Sequence, residues 1–214
     1  MKKIIITPES DPQNPRDNDN LGTMVCFHNR YSLGDSDHNL SSNDFNSFEE
    51  LSDYLIKERK AVIILPLYLY DHSGLSISTG SFDCRWDSGQ IGFIYISREY
   101  ALKEYGGKIV TKATKEKIIN YFKSEVETYD QYLKGDVYGF RIIEEVKYLK
   151  GPLANFGDKG IMILDPSNYE TITEDEEIDS CYGFYGTDWF KNGMSDYIPE
   201  ELHELLKTTE ITYE

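Results

Sequence analysis

The chain has 214 residues, with 38 Asp and Glu against 22 Lys and Arg and a formal net charge of −16. Such a charge repels nucleic acid and attracts cationic surfaces, and no basic patch segregates to offset it, so direct nucleic-acid binding is excluded. Three widely spaced cysteines with no C-x-x-C pair argue against a disulfide framework, and no run approaches the roughly 18 apolar residues of a membrane span.

In chain order, Ile4–Ile6 inside residues 2–7 predict a buried strand, which stops at Pro8, too soon for the apolar region of a signal peptide. Residues 8–20 are rich in Pro, Asp and Asn and read as a loop. Met24–His28 predicts a short second strand. Ser47 and Glu50 have capping-box spacing, and Phe48, Leu51 and Leu55 form an apolar stripe, so 48–60 is expected to be helical. Ala61–Tyr70 is a nearly continuous apolar run, expected as a central strand, with Pro66 marking a bulge or a sheet edge. The polar stretch Asp71–Gln90 reads as a loop that carries His72, Cys84, Trp86 and Asp87. Ile91–Ser97 is a further strand, and Ser97 can cap a short helix ending at Gly106-Gly107.

A long helix is expected from Thr114, with Ile118, Phe122, Val126, Tyr129 and Leu133 on one side and Gly135 just past its end. Val137–Lys150 and Gly160–Leu164 read as strands, and Pro199 opens a last helix with Ile198, Leu202, Leu205 and Leu206 as its apolar side. These elements predict an α+β fold on a mixed, largely antiparallel sheet with about three helices. They also predict a core domain over 1–166, with an acidic, aromatic-rich segment over 167–214 packed on it.

Three chemistries compete for the polar residues. Cys26, His28, His38, His72 and Cys84 border predicted strands and are candidate zinc ligands, because zinc takes four N or S donors. Asp71-His72-Ser73-Gly74 and Trp86–Gln90 bring acid, base and hydroxyl groups near strand ends, so a metal-dependent hydrolase would place its site around His28, Asp71, His72 and Asp87. No nucleophile elbow, P-loop or dinucleotide fingerprint accompanies them. The third chemistry is charge: the last 64 residues hold 15 acids and 3 bases. Glu174, Asp175, Glu176, Glu177 and Asp179, with Asp188, lie beside Tyr182, Phe184, Tyr185, Trp189 and Phe190, so this segment should fold and present carboxylates to a basic partner. That reading expects a binding protein and not an enzyme.

Several stretches carry a resemblance: Pro8-Glu-Ser-Asp-Pro-Gln-Asn-Pro-Arg16, Asp19–His28, Arg30-Tyr-Ser-Leu-Gly-Asp35, Tyr70-Asp-His-Ser-Gly74, Trp86–Tyr95, Glu127-Thr-Tyr-Asp-Gln-Tyr132 and Asp179–Gly186. Together they resemble a family of proteins carried by bacteriophages, prophages and conjugative elements, for which no chemistry is firmly assigned. Many relatives hold a C-x-x-C-like pair just before the last stretch; here Ile172–Ile178 has none, and Cys181 alone remains. In size and charge the chain also looks like the anti-CRISPR inhibitors of streptococcal and related phages, several of which bind an effector nuclease and exclude its nucleic acid. The likeness implies a Cas9-type partner, whose guide and target lie in positively charged channels, and a place in the host cytoplasm.

Overall fold

A computed structural model of the chain describes residues 1–150 and 170–213. Its apolar runs become strands: β5 (Ser88–Ser97) lies between β2 (Thr23–Cys26) and β3 (Ala61–Asp71), and β4 (Leu75–Ser78) completes the order β2-β5-β3-β4. Every pairing in this sheet is antiparallel. Successive strand residues point to opposite faces, and β5 is buried on both of them over residues 91–96. Ile94 and Ile96 pack with Ile118, Phe122 and Val126 of α3 (Lys112–Lys134), whereas Phe93 and Tyr95 pack with Leu51 and Leu55 of α1 (Phe48–Lys57). Each such side chain contributes about 1.5–3 kcal/mol by leaving water. Pro66 pairs with Phe93 on one side, while β4 reaches only Tyr68–Asp71, so at Pro66 the strand has a ladder partner on one side alone.

β4 escapes a pattern reading because it is four residues long and polar at alternate positions. Its edge is covered by α3, where Asp130 Oδ1 accepts hydrogen bonds from Ser76 Oγ at 2.7 Å and Ile77 N at 2.8 Å. The helices also refine their expected ends. α1 starts as predicted with Ser47 Oγ accepting from Glu50 N, but Glu50 returns its carboxylate to Asn46 N rather than to Ser47. α3 begins earlier than Thr114 because Thr111 is the cap, and its hydroxyl accepts from Thr114 N. It ends at Gly135 in the left-handed conformation (φ 77°), as the sequence indicated. α2 (Arg98–Tyr105) is capped by Ser97.

The second sheet has the order β1-β6-β7, built from β1 (Lys2–Pro8), β6 (Val137–Lys150) and β7 (Glu170–Tyr185). Ile4 lies opposite Ile142 and Ile6 opposite Phe140 in an antiparallel ladder. That face is covered by Met194, Ile198, Leu202 and Leu206, the last from α4 (His203–Thr208). The C-terminal strand-like segment also protects the edge of β1, where Thr212 N donates to Ile6 O at 2.7 Å. The fold is therefore α+β, with four α-helices and two antiparallel sheets among the described residues.

The chain divides into two compact units, Met1–Ser10 with Tyr138–Glu214, and Asp11–Val137. The domain boundary expected between residues 166 and 167, and the strand expected at 160–164, lie outside the described residues.

Within the Asp11–Val137 unit, the Pro- and Asn-rich stretch is an ordered clasp. Asn14 caps a 3-10 turn over Pro15–Asp17, which buries the Arg16 side chain to 1% exposure. The guanidinium forks onto Asp35 at 2.7 and 3.0 Å, donates to Gly22 O at 2.6 Å and reaches Glu125 of α3 at 3.4 Å. Glu125 in turn accepts from Leu21 N and Gly22 N, and Asp35 from Met24 N. Gly34 adopts φ +73°, and a Cβ there would come within 2.7 Å of Met24 O; its N–H donates to the Tyr129 hydroxyl at 3.0 Å.

Removing one partner of a buried charge pair strands the other. Arg16→Ala is expected to cost about 3–5 kcal/mol in urea unfolding, while Arg30→Ala, at an exposed pair, should fall within about 1 kcal/mol of the parent.

Candidate functional site

The loop after β2, the end of β3 and the start of β5 meet at one end of the four-stranded sheet. They enclose an open cleft of about 360 Å³ lined by His28, Asn29, Arg30, Asp71, Trp86, Asp87 and Gln90, among others. The ladder holds its floor, since Tyr70 pairs with Ser88 and Asp71 N donates to Asp87 O at 2.8 Å. Phe27 N donates to Ile91 O at 2.7 Å, which fixes where the His28–Arg30 wall begins.

Its polar groups are largely paired. Arg30 forms an ion pair with Asp71, whose other oxygen lies 3.4 Å from the Tyr31 hydroxyl. His28 stacks on Tyr31 with ring centroids 5.0 Å apart, and its Nδ1 accepts from Arg30 N, which leaves Nε2 to carry the proton of the neutral ring. His72 Nδ1 lies 3.4 Å from Asp87 Oδ2, and the Cys84 thiol donates to the same oxygen at 3.5 Å. Ser88 donates its hydroxyl to Cys84 O. Asp87 thus stands between the imidazole and the thiol, and the Ser88 hydroxyl is directed at a carbonyl. In this arrangement neither the Cys84 thiol nor the Ser88 hydroxyl is hydrogen-bonded to the His72 imidazole.

The structure brings His28, Asp71 and Asp87 to one cleft, with His72 in contact with Asp87. The five expected zinc ligands are not gathered in the same way: among the described residues no group of three or more His, Cys, Asp and Glu side chains is arranged to hold a metal ion. Cys26 is buried in β2, and burial, with Asp35 nearby, pushes its thiol up to about 12. His38 Nδ1 accepts from Leu40 N, and its partial burial lowers its pKa. His72 and Cys84 both approach Asp87 Oδ2.

The acidic run has a definite form. Glu174, Asp175, Glu176, Glu177 and Asp179 are successive exposed positions of β7, a strand that the clustered charge hid from a pattern reading. Alternation sends their carboxylates to both faces of the sheet. Asp175 lies 3.3 Å from Lys3 of β1, and Asp179 Oδ1 accepts from Ser180 N. Asp188 has a local role, with Oδ1 accepting from Phe190 N and Lys191 N to close a turn. His203, which the sequence did not single out, bonds through Nε2 to the carbonyls of Ser195 and Ile198.

Among the described residues no helix is long and apolar enough to cross a membrane. No family model, curated protein or solved structure matches the chain.

Thiol chemistry separates the three cysteines. A thiol with a pKa near 12 is thiolate to only about one part in ten thousand at pH 8, and the thiolate is the nucleophile. Iodoacetamide at pH 8 should label the half-buried Cys84 and Cys181 in the native protein and Cys26 only after unfolding, as read by peptide mass spectrometry. Prompt native labelling of Cys26 would contradict its buried placement.

Proposed function

We propose that this protein works by binding, and that the acidic strand β7 docks on a cationic, nucleic-acid-binding surface of a host-defence effector. The observation that carries the reading is the placement of Glu174–Glu177 and Asp179 on a paired strand, exposed on both faces. A strand advances about 3.3–3.4 Å per residue and alternates its faces, so the carboxylates on each face recur about every 6.7 Å. Held on a strand beside β6, these carboxylates present ordered negative charge on both faces of the sheet, and ordering them costs little at the moment of binding. A net charge of −16 adds long-range steering toward a basic channel. The resemblance to phage and mobile-element proteins favours a Cas9-type nuclease as the effector, acting in the host cytoplasm.

The test is complex formation between the purified chain and guide-loaded and guide-free Cas9-type nucleases, followed by DNA cleavage. Affinity should fall steeply as salt rises from 50 to about 500 mM, because exposed charge pairs are screened over a few ångströms there. Replacing Glu174, Asp175, Glu176 and Glu177 by Lys should weaken binding about 100-fold or more, chiefly through slower association. Absence of any complex at low salt removes the reading, and unchanged affinity of the fourfold variant moves the interface off β7.

A further inference from the structure

We propose that the cleft beside Asp71 and Asp87 is a binding site for an uncharged carbohydrate, a function separate from the acidic strand. It lies wholly within the Asp11–Val137 unit.

Charge within the cleft narrows the ligand class. Asp71 is covered by Arg30, and one oxygen of Asp87 is occupied by His72 and the Cys84 thiol, so at most one carboxylate charge is left over for an ammonium ligand. One guanidinium beside two carboxylates, in a chain of net charge −16, is equally unsuited to phosphate. The lining is too polar for a lipid. It is also closed to an added peptide strand, because the β3 and β5 segments that form the floor already pair with each other through Asp71 and Asp87.

What remains is a ligand rich in neutral hydroxyl donors and acceptors. Asn29 and Gln90 supply planar amides, Asp71 and Asp87 carboxylates, and Arg30 a guanidinium, all with the paired geometry that adjacent hydroxyls on a ring can match. His28 adds a donor through Nε2. The Trp86 indole contributes a flat apolar surface at the rim and is 96% exposed, although Trp is among the more buried side chains of folded proteins. An indole face beside convergent hydrogen-bonding groups fits the C–H face of a pyranose ring, with its hydroxyl edge turned into the cleft. A volume near 360 Å³ at the small end of ligand sites, together with the open mouth, suits one or two sugar units of a longer chain.

The experiment is saturation-transfer NMR and titration calorimetry on the full chain with maltotriose, cellotriose, the N-acetylglucosamine trimer and a mannose trisaccharide, with adenosine and uridine as separate arms. At least one trisaccharide should bind saturably. Trp86→Ala should weaken it about tenfold or more, as loss of an aromatic anchor does, and Asp71→Asn should weaken it as well. Because Trp86 is so exposed, its variant should keep the parent unfolding midpoint, which separates lost binding from lost folding. The proposal is overturned if no trisaccharide binds, if nucleosides bind and saccharides do not, or if binding survives Trp86→Ala. Loss of effector binding by the β7 variant leaves this proposal intact.

Discussion

The buried guanidinium of Arg16 is the constraint on which the Asp11–Val137 unit depends. One side chain answers to Asp35 in the loop after β2, to the carbonyl of Gly22 and to Glu125 on α3. A stretch of Pro, Asn and Asp has too little apolar surface to order itself by burial. A charge removed from water must be surrounded by acceptors or not be buried at all, so the loop has few alternative paths. Burial raises the pKa of Glu125, while Arg16 and the N–H groups of Leu21 and Gly22 pull it back. The carboxylate is costly in isolation and acceptable only inside the clasp, which couples loop order to the packing of α3.

That coupling changes how the recognisable stretches of sequence are understood. Arg16, Gly34, Asp35, Tyr129 and Asp130 are each accounted for by the fold: a clasp, a tight turn, a hydrogen bond from the Gly34 N–H, and a cover for the edge of β4. The motif residues His28, Arg30, Asp71, Trp86, Asp87 and Gln90 converge instead on one cleft. They come from three separated segments, and antiparallel pairing of β3 with β5, and of β2 with β5, is what places those segments at one end of the sheet.

Elements driven by hydrophobic period were legible before the structure. The stripe Ile118, Phe122, Val126 and Tyr129 is the buried side of α3, and Ile4 and Ile6 are the core residues of β1. What escaped was whatever depends on partners distant in sequence. β4 is too short and polar to announce itself, and its order depends on β3 and on Asp130, more than fifty residues away. β7 is hidden because a run of carboxylates has little strand preference and is held there by β6. Cys26 and His38 looked like ligands from their chemistry alone; burial of one and the backbone contact of the other could be known only once Asp35 and Leu40 were placed beside them.

The two candidate surfaces differ in what their order costs. The carboxylates of β7 are placed by a backbone ladder and lie exposed, and among the described residues Asp175 alone of the run forms an ion pair, with Lys3. Those of the cleft are drawn together by loops and meet neighbouring side chains, Asp71 an ion pair with Arg30 and Asp87 the His72 ring and the Cys84 thiol. A surface whose charges face outward favours long-range attraction and rapid, salt-sensitive encounter. A cleft whose carboxylates already hold side-chain partners favours a ligand that exchanges hydrogen bonds at short range. The same residue type thus stands in two settings, and the difference lies in whether the backbone or the neighbouring side chains hold it in place.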